Sequence, residues 1–114
     1  MSIEENRKHK RIHSTNLLNY VCLNEAGEAF AQGMGRTLNV SESGMLLETH
    51  VPLDPNTRVS LTIGMEEEII DIKGTAIYSQ QNDPAGYETG IEFLDVQAAE
   101  LTVLQKFIKA FSGS

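Results

Sequence analysis

The chain of 114 residues reads as an all-β domain, a small six-stranded antiparallel barrel with one helix packed on it at the C-terminus. Three observations predict this. Six short segments alternate apolar and polar residues, the signature of half-buried strands. Turn residues separate them at near-regular spacing. Beyond Asp95 the apolar period lengthens from two to three or four residues, which fits one helix. The length allows one domain with one modest core.

The elements follow in order. Residues 1–13 show no clean period and read as an N-terminal arm, with the barrel and its helix over 14–114. Leu17 to Leu23 alternates, with Leu18, Tyr20 and Cys22 on one face. Asn24-Glu25-Ala26-Gly27 is a turn, and Glu28 to Leu38 returns as the second strand. Gly33 and Gly35 in that strand mark a bulge or a close backbone approach. A polar turn over Asn39–Gly44 leads to a third strand, Met45 to Thr49. After a loop of Pro52, Asp54, Pro55 and Asn56, Val59, Leu61 and Ile63 alternate in a fourth. Ile70, Ile72, Ala76 and Tyr78 are expected to share one face of the fifth strand, and Tyr87, Thr89, Ile91 and Phe93 one face of the sixth. Ala98, Leu101, Leu104, Ile108 and Phe111 then form the stripe of a helix over about 96–111, with Asp95 as its N-cap.

Composition excludes several functions. There is no apolar run long enough for a transmembrane helix and no signal-peptide pattern at the N-terminus, so a cytoplasmic protein without membrane insertion is expected. A single cysteine, Cys22, excludes an intrachain disulfide and a zinc cage of several thiolates. The net charge of −7 argues against a general nucleic-acid binder, which needs basic surface to displace counterions. The charge is unevenly spread. Residues 1–13 hold four Lys/Arg against two Glu, and the rest of the chain five against fourteen Asp/Glu. A short basic arm on an acidic body suits a small dianion better than a long polyanion.

Two short motifs could carry recognition. Arg7 and Arg11 form an R-x-x-x-R segment with Lys8 and Lys10 between them. A guanidinium pairs bidentately with a phosphate or with the O6/N7 edge of guanine and stacks on flat rings. The two lysines would add charge rather than recognition. Asn39, Ser41 and Gly44 form an N-x-S-x-x-G segment. Asn supplies donors and an acceptor, Ser a hydroxyl, and Gly a positive φ or a close approach by a ligand. Taken singly, each motif is more often a basic tail or a structural turn. Arg36 either reaches a phosphate or is a surface residue. Tyr20, Tyr78 and Tyr87 read mainly as packing, with Tyr78 or Tyr87 able to meet a base as well. His9 and His13 lie beside positive charges, which disfavours a cation, and His50 lacks liganding neighbours, so no metal site is expected. Ser41 and Ser43 lack a nucleophile elbow, and no paired acid and base is evident, so no enzyme is expected.

In combination and in this order, the two motifs resemble the halves of the cyclic di-GMP site in PilZ domains. Arg7 and Arg11 match that family's arginines; Asn39, Ser41 and Gly44 match its [D/N]-x-S-x-x-G motif, with Asn where Asp is commoner. Gly90-Ile91-Glu92-Phe93 resembles the strand that closes the family's barrel. The resemblance implies a bacterial second-messenger receptor that grips cyclic di-GMP between arm and barrel and needs no cofactor. Ligand capture would order the arm and relay the signal to a protein effector of motility, pilus or exopolysaccharide machinery. The alternative is a nucleotide-independent protein-interaction adaptor on the same barrel. Asn6, just before the arginine motif, leaves one ligand or a stacked pair equally open.

Overall fold

The computed structural model describes residues 17–65, 67–82 and 86–112. The arm, and with it Arg7, Lys8, Lys10 and Arg11, lies outside the described residues. Six strands, β1 (Leu17–Leu23), β2 (Ala29–Val40), β3 (Gly44–Thr49), β4 (Arg58–Met65), β5 (Glu68–Gln81) and β6 (Tyr87–Leu94), precede one helix, α1 (Ala98–Ser112). The strands close a barrel in the order β1-β2-β3-β6-β5-β4, with every neighbouring pair antiparallel. The expected barrel with one C-terminal helix is the fold observed.

Local chemistry sets the turns. The Asn24 side-chain oxygen accepts the N–H groups of Ala26 and Glu28, both at 2.9 Å, and Gly27 takes φ 82° to complete the first reversal. Between β2 and β3 the turn is tighter than expected. Asn39 and Val40 are still strand, and only Glu42 and Ser43 separate Ser41 from Gly44, whose carbonyl accepts the Ser41 N–H at 2.8 Å. The β2 irregularities fall at Ala29–Ala31 and Thr37–Asn39, while Gly33 and Gly35 take the second expected role, receiving the Tyr20 ring and the Leu47 side chain.

Inward side chains fill the barrel. Leu47, Val59, Leu61, Ile63, Ile72 and Ala76 are fully buried, with Leu18, Tyr20, Cys22, Met45, Ile91 and Phe93 around them. Burial pushes the Tyr20 phenol and the Cys22 thiol above their ordinary pKa values; the neighbouring Cys22 adds to the effect on Tyr20. The helix packs against β4 and β5, placing Leu104 and Phe107 in the same core. Its buried face is centred on Val103, Leu104 and Phe107, with Leu101, Ile108 and Phe111 at the margin; Ala98, expected in the stripe, is exposed. No helix among the described residues is long and apolar enough to cross a membrane.

Two expectations need correction. Asp95 is not the N-cap. It takes φ 49° before the helix, and Gln97 occupies the cap position, its N–H donating to the Glu100 carboxylate at 3.0 Å and its carbonyl accepting the Leu101 N–H. Tyr78 does not share the inner face of β5. Ala76 pairs with Ile91 and Tyr78 with Gly90, so Ile77 is an extra residue on β5 and the alternation inverts. Tyr78 therefore turns outward and Ser79 inward.

Candidate functional site

The bulge at Ile77 creates a site on the outside of the barrel. One cross-strand row runs Asn39–Leu46–Gly90–Tyr78 through β2, β3, β6 and β5, each residue the direct partner of the next. Partners in a row share a face. Around it lies a shallow groove of 340 Å³, lined also by Ser41, Gly44 and Ile77. The three motif residues of the β2–β3 segment thus meet at one place, beside an aromatic ring.

Gly90 makes the middle of the row possible. A Cβ there would fall 2.5 Å from Tyr78 Cε2, so the ring lies across bare backbone. Tyr78 stays 44% exposed and Ile77 51%, giving the groove an apolar wall open to solvent. Exposed aromatic surface in a polar groove is a platform for a flat ring.

Asn39 is exposed, and its Oδ1 accepts the Val40 N–H at 2.9 Å. That bond fixes which end of the amide faces the backbone. It leaves the Nδ2 donors without a partner among the described residues. The Ser41 hydroxyl accepts the Ser43 N–H at 3.2 Å and lies 3.1 Å from the Ser43 hydroxyl. Gly44 has no positive φ; it is needed because the carbonyl of Ile91 on β6 sits where a Cβ would go. The close approach at Gly44 is thus by the neighbouring strand. The turn is held from two further sides, by the Phe93 N–H donating to the Ser43 carbonyl at 2.9 Å and by Gln105 of the helix donating to Glu42 at 3.0 Å.

The surroundings are acidic. The next row out pairs Arg36 with Glu48 and Glu48 with Glu88, and on the other side Gly44 pairs with Glu92. Arg36 does not line the groove. Its Nε donates to Glu48 at 3.0 Å in an exposed ion pair. The described part of the groove therefore offers amide and hydroxyl donors and an aromatic wall, with no unpaired cation among its lining residues. A dianion bound here needs positive charge from elsewhere. The chain enters β1 at Leu17, opposite Arg36 and so three residues short of Asn39 along β2. Arg11 lies six residues before Leu17, a span of at most about 20 Å when extended.

Sequence reasoning singled out Asn39, Ser41 and Gly44, and the structure brings them together. It missed Leu46, Ile77 and the outward role of Tyr78. A bulge between two apolar residues, Ile77 and Tyr78, leaves no mark in a period-two pattern. The isolated Gly90 opposite was the available signal. His50 is exposed, and among the described residues no three His, Cys, Asp or Glu side chains cluster as a metal cage.

The family model described as PilZ domain matches residues 5–110. No curated protein matches the chain.

Proposed function

We propose, from the premise that the chain belongs to the PilZ family of cyclic di-GMP receptor domains, that it binds cyclic di-GMP in the groove between Asn39 and Tyr78. Arg7 and Arg11 supply the guanidinium forks for phosphate and for the O6/N7 edge of a guanine. Asn39 and Ser41 hydrogen-bond the base, and the Tyr78 ring stacks on it. Lys8 and Lys10 add charge. The protein acts by binding, without catalysis, in the cytoplasm. Capture fixes residues 1–13 against the barrel, and the surface formed there meets a protein effector.

The observation that carries this reading is the single row Asn39–Leu46–Gly90–Tyr78, which sets one polar reader, Asn39, and an aromatic platform on one line. The acidic flanks support the assignment of the cations to the arm, because the groove brings none of its own.

Calorimetry tests it. Wild type should bind cyclic di-GMP and discriminate against cyclic di-AMP, because adenine presents an N6 donor where guanine has its O6 acceptor. Arg7→Ala and Arg11→Ala should each weaken binding by roughly ten- to a hundredfold, the equivalent of about 1.5–3 kcal/mol for a charge-assisted contact, with the melting temperature unchanged. Absence of binding by wild type would overturn the receptor reading in favour of the nucleotide-independent adaptor. Wild-type affinity in both arginine variants would remove the arm from the site.

A further inference from the structure

Among the described residues, the first half of β2 has no strand beside it on the side away from β1. This strand is longer than its neighbour: β3 ends at Thr49, whereas β2 begins at Ala29, and the last β2–β3 pair is Arg36 with Glu48. Bonded positions alternate along an antiparallel ladder. The Ser41–Gly44 bond starts that alternation at Gly44, which makes Leu46 and Glu48 the next β3 residues bonded to β2. Arg36 therefore points its backbone groups at β3. Met34 and Gln32, two and four residues earlier, point theirs the same way, past the end of β3. No strand among the described residues pairs with them.

Proteins usually blunt such an edge with Lys, Pro or an inward charge. Here the stretch Phe30-Ala31-Gln32-Gly33-Met34-Gly35 carries no charge and no proline. Instead Phe30 is 62% exposed and Met34 52%. A bulge at Phe30 ends the regular stretch on one side and the β3 terminus ends it on the other.

We propose that this edge joins two copies of the chain, β2 against β2, antiparallel about a two-fold axis at Gln32. The sequence is self-complementary about that residue. Gln32 meets Gln32, and the two exchange backbone N–H and C=O groups. Phe30 of each copy meets Met34 of the other, beside a hollow lined by Leu17, Met34, Arg36, Glu48 and His50. A single interface of this kind is isologous and closes at two copies. The dimer is independent of nucleotide binding, so its test is run on the full chain without ligand.

Sedimentation equilibrium of wild type from micromolar to millimolar concentration should show a reversible monomer–dimer equilibrium. Gln32→Pro removes an N–H that faces the open edge and leaves the β1–β2 ladder intact. It should keep the barrel's circular dichroism and melting while weakening the dimer by roughly tenfold or more. Met34→Lys sets a charge against Phe30 and should act in the same way, which decides the matter if Gln32→Pro folds poorly. Gln32→Cys should form an intermolecular disulfide on mild oxidation, because facing residues of a bonded pair stand about 5.5 Å apart, within disulfide range. A wild type that stays monomeric, edge variants that dimerise as wild type does, or a Gln32→Cys protein that fails to cross-link would each overturn the proposal.

Discussion

At Gly90 the Tyr78 ring occupies the space where a side chain would begin. Val is a good strand residue, so Gly90→Val should leave the apo barrel within about 1 kcal/mol of wild type. It should nevertheless push the exposed ring out of the groove. The expected outcome is a loss of cyclic di-GMP affinity close to that of Tyr78→Ala, roughly tenfold, since an aromatic stack on a base is worth about 1–3 kcal/mol. Calorimetry and melting curves on both variants check this. If Gly90→Val binds as tightly as wild type, the ring has no part in the site. At this scale the sequence was informative where chemistry is local. Asn39 and Ser41 could be chosen because an amide and a hydroxyl act through their own atoms. Tyr78 could be named only as one of two tyrosines able to meet a base, because its direction depends on one unpaired residue, Ile77, in the strand that carries it.

Individual elements show the same division. The strands were legible from alternation, and β1 begins and ends where it was expected. Strand and helix ends were less so. The period of the helix was correct, but Val103 and Phe107 are buried where a stripe through Ala98 was expected, because Ala98 lies off the helical face that Leu104 and Phe107 share. On β5 the inversion after Ile77 brings Ser79 inside. There its hydroxyl accepts the Leu53 N–H at 2.9 Å and lies 2.6 Å from the Thr89 hydroxyl. Thr89 is in turn 3.1 Å from the hydroxyl of Thr49, which donates to the Val51 carbonyl at 2.8 Å. This chain of hydroxyls ties the β3–β4 loop to the strands that carry Tyr78 and Gly90. Ser79→Ala leaves the buried Leu53 N–H without its acceptor and should cost about 1–3 kcal/mol in urea denaturation. Ser79→Thr, which keeps the hydroxyl, should recover part of that loss. Equal stability of Ser79→Ala and wild type would mean that water replaces the hydroxyl.

Taken as a whole molecule, the barrel joins segments distant in sequence. β1 pairs with β4, and β3 with β6, so the groove draws on β2, β3, β5 and β6 at once. Alternation and turns imply a closed antiparallel barrel, but which strands become neighbours across a long connection depends on packing that no local pattern encodes. The distribution of aromatic residues has an optical consequence. The chain has no tryptophan and three tyrosines, so its near-ultraviolet emission comes from Tyr20, Tyr78 and Tyr87. Tyr20 is sealed in the core, Tyr87 is half-buried, and Tyr78 alone of the three lines the groove. A guanine stacked on Tyr78 should quench that ring's share of the light. Unlabelled protein titrated with cyclic di-GMP, corrected for nucleotide absorbance, should lose part of its tyrosine emission along a saturable curve. In Tyr78→Leu the remaining emission should stay level. A quench that persists in this variant would place the guanine beside another tyrosine. The intrinsic fluorescence of the protein would thus serve as a built-in gauge of its own occupancy.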